Sequence, residues 1–157
     1  MFFPIDEISH SVERHKLYVV MCRHEELSKC IGFVQNKNIK VIDIGKELGL
    51  LIEGLKDNSD ISIDVSERFL GLLENFKLKI NDSDNYVIAV HNLGILLEPV
   101  FKLKPVQLLK DFSKTAVLII IWENQFDSNN ILHWPTKKNT FRLDFGETLL
   151  KRLVYEI

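Results

Sequence analysis

Apolar residues fall along this chain in short blocks that switch between strand-like runs and helical spacing, with polar turns between the blocks. Leu17 to Met21 is an unbroken apolar run and reads as a buried strand. Leu27 to Val34 takes helical spacing and ends in the polar turn Gln35-Asn36-Lys37-Asn38. Ile39 to Ile44 returns to strand character, and Lys46 to Leu55 to helical character, before Asp57-Asn58-Ser59-Asp60 breaks the pattern. Val65 to Leu78 predicts an amphipathic helix. Val65, Phe69, Leu72, Leu73 and Phe76 share its apolar stripe, and Asp64 or Ser66 stands near its start. After a second polar break, Asn81 to Asn85, Tyr86 to Val90 reads as a strand, Pro105 to Phe112 as a short helix and Ala116 to Trp122 as a near-continuous apolar strand. Phe141 to Phe145 predicts a last strand and Glu147 to Tyr155 a C-terminal helix. At the other end Pro4 to His15 predicts a helix, because proline suits a first turn and Ile5, Ile8 and Val12 share a face.

Strands that alternate with helices, several of them apolar on both faces, predict a parallel sheet covered on both sides. The expected architecture is an α/β three-layer sandwich with a mostly parallel sheet of about five strands, forming one domain over residues 1–157. No repeat, low-complexity tract or linker divides the 157 residues.

Composition narrows this picture. With 46% hydrophobic residues the chain can bury a sizeable core, and 20 basic against 22 acidic residues leave no global charge that would favour nucleic acid. The apolar runs are far shorter than the roughly 20 residues that cross a bilayer. The opening Met1-Phe2-Phe3-Pro4 lacks the basic start of a cleaved signal peptide. Cys22 and Cys30 are too far apart for a C-x-x-C motif, so a reduced, cytoplasmic protein without membrane association is expected.

The stretch Leu17 to Cys30 has the layout of a phosphate-binding loop: an apolar strand, a polar turn, then a lysine that opens a helix. In a P-loop, G-x-x-x-x-G-K-[ST], the glycines let successive backbone N–H groups curl around the phosphates. The lysine reaches the outer phosphates and the hydroxyl ligates magnesium. With Lys29 as the anchor, Arg23 and Ser28 stand at the glycine positions and Cys30 at the hydroxyl position. Side chains make the positive-φ curl costly, a thiol is a poor magnesium ligand, and Glu25 and Glu26 place negative charge in the cradle. At about 4 Å each carboxylate repels a phosphate charge by roughly 1–4 kcal/mol. Arg23, His24 and Lys29 remain able to hold an anion; an ordinary strand-to-helix turn with a solvated charged face is the competing reading.

Hydrolysis also requires a carboxylate at the end of a neighbouring strand. The strand Tyr86 to Val90 ends instead in His91-Asn92, while Glu98 and Glu123 are acids that follow strands or loops and could approach the crevice. The five histidines, His10, His15, His24, His91 and His133, show no metal-ligand spacing, so no metal site is expected. No serine sits in a nucleophile elbow. Lys102, Lys104, Lys110 and Lys114, with Lys137 and Lys138, could form a basic strip that either solvates the surface or contacts nucleic acid.

The run from His91 to Thr115, together with Trp122, resembles the small P-loop-containing protein of BREX phage-defence systems, the BrxF family. Asn92, Pro99, Pro105, Leu108, Leu109, Ser113 and Trp122 fit its pattern, and Ile42, Ile44 and Leu48 match the order of elements before it. Arg23, Ser28, Cys30 and His91 depart from it at the nucleotide-handling positions. The resemblance implies a P-loop NTPase-like fold that has lost its machinery. The implied role is a non-catalytic subunit that contacts the other subunits of a phage-defence complex and meets DNA through them, with ATP and magnesium not expected as cofactors. Two alternatives are an ATPase with an atypical loop that needs a partner for hydrolysis, and an accessory nucleic-acid-binding subunit.

Overall fold

The computed structural model of the chain describes all residues except 1–4, 57, 81–82, 125, 128–129, 137–139, 149 and 155–157. In chain order the helices and strands are α1 (Ile5–Ser9), β1 (Leu17–Met21), α2 (Leu27–Gln35), β2 (Val41–Asp43), α3 (Ile44–Ile52), α4 (Ile61–Phe76), β3 (Leu78–Lys79) and β4 (Tyr86–His91). They continue with α5 (Pro105–Ser113), β5 (Ala116–Trp122), β6 (Phe126–Asp127), β7 (Ile131–Pro135), β8 (Thr140–Asp144) and β9 (Lys151–Val154).

The main sheet runs β2-β4-β5-β1-β9, and every neighbouring pair on this path is parallel. β3 adds a short antiparallel pairing to β4. Parallel strands need both faces covered, and the central ones show it: β5 is buried at every position and Val87 to Val90 of β4 are fully buried. Alternation along each strand sends side chains to two separate cores. Leu17 and Val19 of β1 pack with Leu48 of α3, Phe69 of α4 and Leu109 of α5. Tyr18 and Val20 pack with Ile8 of α1 and with Cys30 and Val34 of α2. The result is the expected three-layer α/β sandwich.

Three sequence expectations need correction. Glu147 to Tyr155 does not form a helix: Lys151–Val154 is β9, paired with β1 from Tyr18↔Lys151 to Met21↔Val154. Its short apolar pattern suits either period, and the open edge of β1 decides in favour of the strand. Phe141 to Phe145 gives β8, which belongs to a separate antiparallel sheet, β6-β7-β8, and not to the main one. This small sheet adds Leu132, Leu143 and Phe145 to the α3–α5 core, and Trp134 meets Trp122 with ring centroids 5.5 Å apart. Finally, Ile44 opens α3 and does not end β2, because the Asp43 carboxylate accepts the Lys46 N–H at 3.1 Å and caps the helix there.

Smaller shifts follow the same logic. The amphipathic helix starts at Ile61, four residues before the apolar stripe, with Asp60 as its cap residue in place of Asp64 or Ser66. Helix α1 ends at Ser9, so Val12 lies outside it and is almost fully exposed. Pro4 lies outside the described residues. Among the described residues no helix is long and apolar enough to cross a membrane.

Phe69 is fully buried at the centre of the α4 stripe. Phe69→Ala is expected to lower unfolding stability by about 3–5 kcal/mol in urea titration. A loss below about 1 kcal/mol would contradict the placement of α4 against the sheet.

Candidate functional site

Because the main strands run parallel, their carboxyl ends open on one crevice, where residues from separate strands meet. Cys22 follows β1, Glu123 follows β5, His91 ends β4 and Asp43 ends β2. His91 and Asp43 are register partners.

The turn after β1 is not a phosphate cradle. Arg23 is extended, with φ −77° and ψ 151°, and His24–Glu26 forms one turn of 3-10 helix that runs directly into α2. Among the described residues the non-glycine positive-φ positions are Asn38, Asn92, Lys102 and Asn130, none of them in this turn. The backbone therefore never makes the curl that glycines would permit, which explains why Arg23 and Ser28 fit without strain. Arg23, Ser28 and Lys29 are exposed, whereas Cys30 points into the α2 core and offers nothing to a ligand.

Glu26, Glu123 and Asp43 bring negative charge to the strand ends, and Lys40 and Lys46 stand beside Asp43. The His24 imidazole Nδ1 lies 2.5 Å from Glu123 Oε2, a contact that ties the turn to the end of β5. Glu123 and Glu26 both act on the Cys22 thiol, and Asp43 and Glu123 both act on His91. Of the two acids named from the sequence, Glu123 reaches the crevice. Glu98 is exposed and lines a separate hollow with Pro99 and Trp134.

His91 and Asn92, at the end of β4, are engaged with the elements beside them. Asn92 is left-handed, with φ 58° and ψ 60°. Its amide donates to Asp43 Oδ1 at 2.8 Å, and its carbonyl accepts the Gly45 N–H at 3.0 Å. The approach is so close that a Cβ on Gly45 would lie 2.4 Å from Asn92 Nδ2. Asn92 thus clamps the start of α3 to the end of β4. His91 borders a cavity of about 260 Å³ with Lys40, Asp43, Lys46 and Phe76. Burial pushes its imidazole below the ordinary histidine value, against the opposing pull of Asp43 and Glu123.

Asp43 is the residue that sequence reasoning missed. Its signal was present, since aspartate before an apolar helical start is an N-cap pattern, but Ile44 was assigned to the strand. Cys22 and Cys30 are too far apart in sequence for a C-x-x-C motif, yet Cys22 packs against the core cluster that contains Cys30 and each thiol shifts the other's titration. Among the described residues no group of three or more His, Cys, Asp or Glu could hold a metal ion.

The lysine strip is divided. Lys102 and Lys104 precede α5, while Lys110 and Lys114 sit at its far end. There Lys110 and Lys114 line a wider cleft of about 810 Å³ with Arg14, Asp144 and Glu147, and Lys114 also pairs with Asp111 at 3.3 Å. Lys137 and Lys138 lie outside the described residues.

The depressed His91 value gives a pH dependence with a definite sign. The unfolded chain takes up this proton first as pH falls, so stability drops below about pH 6.5 and the loss ends once folded His91 also protonates. His91→Gln is expected to flatten that part of the urea-unfolding profile between about pH 7.5 and pH 5. An unchanged slope would show that His91 is solvated.

Comparison with family models, with curated proteins and with solved structures returned no match.

Proposed function

We propose that this chain is a non-catalytic subunit with a P-loop-like fold that acts by protein contact in an antiviral, BREX-like assembly. One observation carries the non-catalytic part: the crevice at the strand ends is occupied by the chain's own polar contacts, above all His24 on Glu123. A triphosphate placed there would meet Glu26 and Glu123, with no curled backbone to offset them. Arg23 and Lys29, the cations of the turn after β1, are exposed, so each would hold an anion only weakly. The assembly follows from the resemblance across His91 to Thr115. Exposed Leu50 and Leu51 on α3 suit a protein that works through contacts.

The second reading, an ATPase completed by a partner, has one observation in its favour. Glu123 does stand at the crevice, at the end of the strand next to β1. Its engagement with His24 weighs against a free catalytic role.

Isothermal titration with ATP and magnesium, alongside phosphate release, separates these readings. No heat of binding and no turnover are expected for the isolated protein up to about 1 mM nucleotide, a Kd equivalent to roughly −4 kcal/mol. Micromolar affinity with turnover abolished by Lys29→Ala would overturn the proposal. Turnover that arises only with a partner and falls in Glu123→Gln would favour the second reading.

A further inference from the structure

The fold brings together two cysteines that the sequence separates. Cys22 is the first residue after β1 and is partly exposed at the crevice; Cys30 lies in the second turn of α2 and is fully buried. Cys22 packs against the core cluster that contains Cys30, and each thiol is the largest influence on the other's titration. Both are free thiols. The strand-turn-helix geometry produces this meeting, because α2 folds back over the strand that precedes it.

We propose that Cys22 and Cys30 form a redox-active dithiol that closes to an intramolecular disulfide when a hydroperoxide oxidises Cys22. The division of labour follows from position. Cys22 is the thiol a peroxide can reach, and Cys30 waits behind it in the core that Cys22 packs against, shielded from the oxidant. The electrostatics agree in direction for Cys22, the thiol that must ionise first. The hydrogen bond from Cys30 lowers the Cys22 thiol below its ordinary value, against burial, Glu123 and Glu26. The same bond and burial push the Cys30 thiol up.

In the first step the Cys22 thiolate attacks one peroxide oxygen and the O–O bond breaks. This gives Cys22 sulfenic acid and releases hydroxide, or alkoxide from an organic peroxide. In the second step Cys30 sulfur attacks the sulfenic sulfur, the S–O bond breaks, and the hydroxyl leaves with the Cys30 proton as water. Two sulfurs lose two electrons in total, and the peroxide accepts them. The disulfide staples the turn from Arg23 to Lys29 between the end of β1 and α2, directly beside the His24–Glu123 contact. This site does not depend on whether the crevice binds a nucleotide.

Peptide mapping of the full chain tests the proposal. The protein is treated with hydrogen peroxide, blocked with N-ethylmaleimide under unfolding conditions and digested with trypsin without reductant. The expected product is a disulfide-linked pair of peptides, Leu17–Arg23 joined to Cys30–Lys37, recovered from monomeric protein and lost on reduction. Cys30→Ser is expected to leave a dimedone-reactive sulfenic acid on Cys22, and Cys22→Ser to leave Cys30 unoxidised. Should Cys30→Ser fail to fold, the wild-type map alone decides. The proposal is overturned by Cys22 sulfinate beside a free Cys30, by both thiols remaining open to maleimide, or by a linkage found only in covalent dimers.

Discussion

The parallel pairing of β1 with β5, from Leu17↔Leu118 to Met21↔Trp122, constrains everything else in this molecule. β5 is buried along its whole length, and β1 sends alternate side chains into two different cores. Neither strand could face water on one side, so helices must cover both faces. Once the strands are parallel, their carboxyl ends must share one edge, and the residues that follow them must meet. Cys22, Asp43, His91 and Glu123 come from four strands and reach one crevice for that reason alone.

What occupies that crevice then follows from local chemistry. Asp43 is bound to the first turn of α3 and to the Asn92 amide, so its carboxylate is a structural cap. His24 takes Glu123, and Cys22 packs against the core that holds Cys30. The Asp43 and Glu123 carboxylates at the strand ends both have partners within the chain, whereas Arg23 and Lys29 lie exposed. The proposed loss of nucleotide handling is therefore a statement about satisfied contacts as well as about missing glycines. The same contacts bring the proposed dithiol into being.

Much of this was legible in the sequence. Ala116 to Trp122 and Leu17 to Met21 read as buried strands and are so, and the stripe from Val65 to Phe76 placed α4 to within a few residues. The anchoring of Lys29 at the start of a helix after a buried strand was also readable. The rest depended on long-range pairing. Lys151 to Val154 becomes a strand only because β1 offers an open edge. The partners of His24 and Asn92 stand 99 and 49 residues away and leave no periodic trace. The approach of Cys22 to the core that holds Cys30 escaped because motif spacing counts residues along a chain, whereas a turn into a helix folds that distance back.

A crystal structure grown with magnesium and a non-hydrolysable ATP analogue tests the central claim most directly. The account predicts an unliganded crevice, with His24 still on Glu123 and Lys29 still exposed. Phosphates seated at the start of α2, with Lys29 turned onto them and Glu123 released toward a metal ion, would contradict it.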